Sequence, residues 1–210
     1  GPAGAGPAWI PELSAFCKER NLPLDFISFH SYGLGDGPSG LDPYGNRKLY
    51  LNPSLNFPAE TANGQLPVLE RIDRKGIPVH ITEWSSSYSP RDPVHDSYFN
   101  APYILRQLRN TEGMASMSYW TFTDIFEENG PGPAPFHGGF GLVNQQGVRK
   151  ASFWAYKFLS MLGDTEIVSS DPDSFVCIDA NGGAQVLFWD LTDLTDGGRI
   201  SNHDVFLKPH

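Results

Sequence analysis

The sequence predicts an α/β chain: half of an eight-stranded parallel (β/α) TIM barrel, with a small antiparallel, β-sandwich-like region after it. Three observations carry this. Helical and strand-like patterns alternate through the first three quarters of the chain. The segments that follow each strand are far longer than those that return to the next, as βα loops are in such barrels. After Asp164 the pattern changes to short runs separated by turns.

The elements follow in order. Pro7 to Arg20 places Trp9, Ile10, Leu13, Phe16 and Cys17 on one helical face, and Asn21-Leu22-Pro23 ends it. Leu24 to His30 reads as a buried strand. Residues 31 to 58 form a loop rich in Gly, Pro, Asn and Tyr, and loops of that length are usually functional. A helix is expected over Thr61 to Lys75, with Leu66, Leu69 and Ile72 inward and Gly76 as its stop. Val79 to Thr82 is the second strand.

Asp92-Pro93 then opens a helix to about Asn110, with Pro just inside a capping Asp, burying Val94, Tyr98, Ala101, Ile104, Leu105 and Leu108. Met114 to Trp120 is the third strand, and a loop covers Thr121 to Gly147. The last helix, about Ala151 to Leu162, turns Phe153, Trp154, Phe158 and Leu159 inward. A strand remnant at Gly1 to Ala5 would be the fourth. Residues 1–163 thus form the barrel part. Residues 164–210 form an accessory sheet from Glu166-Ile167-Val168, Phe175 to Ile178, Ala184 to Trp189 and Asp204 to Leu207.

Composition narrows the partners. The net charge of -9 and the scatter of 15 basic residues argue against nucleic acid and anionic membrane, which need clustered Lys and Arg. No apolar stretch approaches the roughly 20 residues that span a bilayer. Aromatics at 13% suit a core or the flat apolar faces of sugars equally. Cys17 and Cys177 read as two buried, reduced thiols, which favours a reducing, cytoplasmic compartment. The start Gly1-Pro2-Ala3-Gly4 shows no signal peptide and reads as a chain cut from something longer.

Chemistry-bearing residues gather at the three strand ends: His30 and Tyr32, then Glu83 and Trp84, then Trp120, Asp124, Glu127 and Glu128. In a parallel barrel those ends converge on one rim. Any one of them alone is more often a loop or salt-bridge residue; three coincident ends favour a site. His30, His80, His95 and His137 lack metal-ligand spacing, so no metal is assigned. No cofactor is expected either: Gly33-Leu34-Gly35-Asp36-Gly37 lacks the helix and Lys of a phosphate loop, and no GxSxG elbow occurs. Carboxylates in an aromatic pocket remain, the combination that glycoside hydrolysis uses.

Four runs then resemble glycoside hydrolase family 39. They are Phe26 to Tyr32, Ile81 to Pro90, Pro93-Val-His-Asp96 with Phe99-Asn100, and Ser118 to Glu128. The resemblance, over about residues 1 to 163, implies a retaining barrel enzyme acting on xylose-containing oligosaccharides. It makes Glu83, at the seventh strand's tip, the nucleophile. His30 and Tyr32, after the sixth, would bind sugar and hold the nucleophile, and Trp120 would form the floor. Glu127 and Glu128 match the pair that bonds xylose hydroxyls, which prefers a β-xylosidase over an α-L-iduronidase. Phe136 to Leu142 resembles a loop near the site.

The family's acid/base Glu stands in an Asn-Glu-Pro context at the fourth strand, and that tripeptide is absent here. The expectation is strands five to eight of the barrel, completed by an N-terminal half or a complementary chain and inactive alone. A half-barrel with open edges should be unstable or sticky by itself. The alternative is a carbohydrate-binding or assembly fragment that keeps the pocket without turnover.

Overall fold

The computed structural model describes residues 6–43, 45–71, 76–126 and 128–207. The expected strand at Gly1–Ala5 and the end of the helix predicted to Lys75 lie outside them. A 3₁₀ turn (Gly6–Trp9) leads into α1 (Ile10–Glu19). Strand β1 (Ile27–Tyr32) is followed by the short pair β2 (Leu34–Gly35) and β3 (Tyr50–Leu51) inside the long loop. The helix predicted over 61–75 starts earlier and is split into α2 (Phe57–Asn63) and α3 (Gln65–Arg71). Pro67 explains the break: its ring clashes with a carbonyl four residues back, and it has no N–H to give.

Strand β4 (Val79–Ser85) follows. The helix predicted from Asp92 comes in two pieces: a 3₁₀ turn (Pro93–Asp96) capped by Asp92 Oδ1, then α4 (Asn100–Asn110). Extended Ser97 separates them. Tyr98, expected in the core, falls in that break and is 66% exposed. After β5 (Ser116–Tyr119) and its long loop comes α5 (Ala151–Leu159), where Ser152 and Ala155 are buried while Trp154 and Phe158 face out. The tail contributes β6 (Thr165–Ile167), β7 (Ser174–Ile178), β8 (Ala184–Phe188) and α6 (Asn202–Phe206).

Three parallel strands in the order β1-β4-β5 form the central sheet. One face packs Ile27, Phe29, Val79, Ile81 and Trp84 against Ile10, Ala62, Leu69, Ile104, Leu105 and Ala155 of the helices. The other face alternates with it and is small and polar: Ser28, His80, Thr82, Ser116 and Ser118, with His80 Nδ1 at 2.9 Å from Ser116 Oγ. An apolar face against helices and a polar face away from them give the sheet its sidedness. Of the residues expected on the inner face of α1, Ile10 and Cys17 are buried while Trp9 and Phe16 stay exposed, and Ser14 is buried beside them. Both cysteines are free and buried.

The tail does not stand apart. Its antiparallel sheet β6-β7-β8 sends Leu187 and, just beyond, Trp189 against the first core. Arg106 grips Asp173 with both Nε and Nη2 at 2.5 Å. Leu191 and Phe206 join a second core with Leu51, Val94, Phe99 and Tyr103. Asp204 to Phe206, part of the segment to Leu207 expected as a strand, lies in α6, with Leu207 at its C-cap, because Ser201 Oγ accepts a hydrogen bond from the Asp204 amide as an N-cap. Asn202 seals the junction: its Oδ1 accepts from Leu51 N, and its Nδ2 donates to Asp92 Oδ2 at 2.8 Å. Among the described residues, no helix is long and apolar enough to cross a membrane.

Candidate active site

The site is built at a fault in the sheet. Pairing runs regularly through Ser28–His80 and Phe29–Ile81, then jumps to His30–Glu83, so β4 holds one residue more than β1. The β4–β5 pairing jumps at the same place, from Ile81–Met117 to Trp84–Tyr119. Strict alternation would put Glu83 among the helices and Trp84 on the polar face. The bulge reverses this and turns Glu83 to the side of His30 and Tyr32. Trp84 goes to the core, fully buried, its ring edge-on to Tyr119 at 5.5 Å. Trp84, a strand-end residue in the sequence, is therefore a core residue and not part of the site.

Two side chains of β1 converge on one oxygen of Glu83. Tyr32 Oη donates to Oε2 at 2.7 Å, and His30 Nδ1 stands 3.0 Å from the same atom. Oε1 has no hydrogen-bond partner among the described residues. The Glu83 side chain is 26% exposed, so the carboxylate is both held and reachable. Burial first, then the hydrogen bond to Glu83 and the charges of Glu83 and Glu128, push the Tyr32 phenol well above the ordinary tyrosine value. Tyr32 therefore stays a proton donor to the carboxylate at any neutral pH.

Trp120 continues the wall. Its amide donates to Trp84 O, and its ring lies edge-on to Phe126 at 5.0 Å and to Phe140 at 6.4 Å. The Trp120–Thr121 peptide is cis. Glu128 is exposed, on a loop near enough for its charge to act on Tyr32. Glu127 lies outside the described residues. His30, Tyr32, Glu83 and Trp120 are thus brought to the strand tips, with Glu128 on the loop beside them.

Asp124 does not join them. It is fully buried; its Oδ1 accepts from the Gly141 amide, and its Oδ2 is ion-paired with Lys150 Nζ at 2.7 Å. Lys150, also buried, reaches Asp96 Oδ1 at 2.6 Å and Gly139 O at 2.9 Å as well. His95, fully buried, has its ring nitrogens 2.9 Å from Gly138 O and 3.0 Å from Ser87 O. Lys150 carries no mark of this role in the sequence, because a basic residue just before a helix has the pattern of solvated surface. A cavity of about 420 Å³ lies beside this cluster, lined by Pro93, Phe136, His137 and Phe206 among others; Glu83 does not line it. The described residues contain no group of His, Cys, Asp and Glu able to hold a metal.

A pinned carboxylate with an aromatic wall, at the C-terminal tips of parallel strands, is the arrangement of an α/β glycoside hydrolase. Within that class the chain belongs to Glycosyl hydrolases family 39, whose profile matches residues 1–192. A β-xylosidase of Caldicellulosiruptor saccharolyticus is 36% identical over 220 residues, covering 100% of this chain and 40% of that protein. The solved monomeric β-xylosidase from Caulobacter crescentus CB15 is 39% identical with a TM-score of 0.86, over 100% of this chain and 42% of that one. The solved family 39 enzyme from Xanthomonas axonopodis pv. citri is 43% identical with a TM-score of 0.83, over 91% and 38%. The chain thus spans between 38% and 42% of the length of these relatives.

Proposed function

We propose that the chain is the nucleophile-bearing half of a retaining β-xylosidase, corresponding to strands five to eight of the barrel. Glu83 Oε1 would attack the anomeric carbon of a β-xyloside, forming a glycosyl ester as the bond to the leaving oxygen breaks. An acid/base carboxylate on the other half would protonate that oxygen and then activate the water that hydrolyses the ester. The observation that carries this reading is the division of labour on Glu83: Oε2 is fixed by Tyr32 and His30 and Oε1 is left open. Trp120 supplies the floor for the sugar ring, and Glu128, with Glu127, would accept hydrogen bonds from its hydroxyls.

The negative charge of Glu128 beside Tyr32 supports a neutral pentoside over a uronide, since it would repel a substrate carboxylate. The non-catalytic alternative, a binding fragment that keeps the pocket, draws on the lack of Asn-Glu-Pro. Nitrophenyl-xyloside separates the readings, because so good a leaving group needs no acid. The half-enzyme should release about one equivalent of nitrophenol in a burst and then stall for want of a base. Xylobiose binding without a burst would support the fragment reading, steady turnover would place the acid/base within this chain, and neither binding nor burst would overturn the xyloside assignment.

A further inference from the structure

The loop that carries Glu128 follows β5 and folds back on the segment just beyond that strand, residues 121–124. Leu142 N donates to Thr121 O, Val143 N to Phe122 O, and Asp124 N to Val143 O, so the described residues of the loop, 125–126 and 128–139, form an excursion with a closed base. That base is built around Lys150 Nζ. It donates a hydrogen bond to Gly139 O at 2.9 Å and is ion-paired with two carboxylate oxygens, Asp96 Oδ1 at 2.6 Å and Asp124 Oδ2 at 2.7 Å. Each carboxylate uses its second oxygen to hold a loop amide, Asp96 that of Gly138 and Asp124 that of Gly141, both at 2.6 Å. The glycines permit the approach: a Cβ on Gly139 would stand 2.5 Å from Asp124 Oδ1, and Gly138 has φ +80°. On the far side His95 joins Gly138 O to Ser87 O, four residues after Glu83.

We propose that Lys150 is a positioning residue for sugar binding: its buried ammonium group, by joining Asp96, Asp124 and Gly139, fixes the base of the loop that carries Glu128. The inference rests on the xyloside reading above. None of the three acceptors around Nζ lies in the core sheet; all belong to the segments that follow β4 and β5. Without the ammonium, two carboxylates would be left in one buried place with no counter-charge. The strands are held by their ladders and by the apolar core, so the loop base is what would open. Glu83, held separately by Tyr32 and His30, would stay where it is.

The test pairs amide hydrogen exchange with a xylobiose titration on the chain itself. Lys150→Met should raise exchange around Gly138 and Gly141 roughly tenfold or more, leaving β1 and β4 unchanged. It should weaken xylobiose binding about tenfold. The double variant Lys150→Met/Asp124→Asn removes the charge imbalance and guards against simple misfolding. A positioning role predicts that its strands keep wild-type protection while xylobiose binding stays weak. Recovery of wild-type binding in the double variant would make Lys150 a matter of charge balance alone and overturn the proposal. So would a Lys150→Met chain whose loop exchange is unchanged, or whose strands loosen as much as the loop. If the wild-type chain shows neither xylobiose binding nor the nitrophenol burst, the xyloside reading falls and the positioning role falls with it; a burst without xylobiose binding overturns the positioning role alone.

Discussion

Tyr32 donates its hydroxyl hydrogen to Glu83 Oε2 across two neighbouring strands, over a distance of 2.7 Å. His30 approaches the same oxygen, so the carboxylate is fixed through one atom and open at the other. The relationship exists because β4 carries one residue more than its partners at this level.

Removing that hydroxyl should slow the attack without unfolding the chain. A hydrogen bond to a charged group is worth about 1.5–3 kcal/mol. Tyr32→Phe is therefore expected to lower the rate of inactivation by an activated fluoroxyloside roughly tenfold to a hundredfold. The urea midpoint should move little, because the hydroxyl faces the cleft rather than the apolar core. Inactivation kinetics and equilibrium unfolding on the same preparation check both halves.

Trp84 has the opposite profile. Fully buried and packed on Tyr119, it should cost about 3–5 kcal/mol when replaced by Ala, as large-to-small core changes do. Urea unfolding measures it, and a loss below about 1 kcal/mol would place Trp84 outside the core.

Asn202 tests whether the tail is part of the main body. It satisfies the buried Leu51 amide and donates to Asp92, which itself caps the turn after β4. Asn202→Ala should cost about 1–3 kcal/mol by leaving those groups unpaired. Unfolding should remain a single transition. A separate early transition of the tail would contradict the packing described.

Alkaline pH should weaken the fold. Burial, the largest cause in each case, pushes the phenols of Tyr32, Tyr103, Tyr119 and Tyr156 well above the tyrosine value of 10.0. Near and above that pH the unfolded chain releases protons that the folded chain keeps, so stability falls as pH rises. Below it these groups contribute no pH dependence. Phenolate absorbance should show the four titrating only as the chain unfolds, and a folded chain in which all four ionise near pH 10 would contradict their burial.

The sequence made the parallel strands, their order and the residues at their tips legible, because strand patterns and chain-distant polar ends survive in a single string. It did not make the bulge legible. A period of two would have hidden Glu83 among the helices and exposed Trp84, and only pairing with β1 and β5 reveals the extra residue. Asp124 looked like a site residue because a carboxylate after a strand has the same signature whether it faces sugar or a buried ammonium. Lys150 gave no signal at all, since its partners lie 26 and 54 positions away, at Asp124 and Asp96. In the tail, the apolar pair Val205-Phe206 fits either period, and the cap at Ser201 decides for helix.

In the proposed reaction Glu83 is the nucleophile of the covalent step. Treating the protein with a 2-fluoro-xylosyl fluoride, then digesting it and sequencing the labelled peptide by mass spectrometry, tests this most directly. The expected result is one xylosyl adduct per chain, carried by Glu83 and lost in Glu83→Gln. An adduct on any other residue, or labelling that persists in Glu83→Gln, would contradict it.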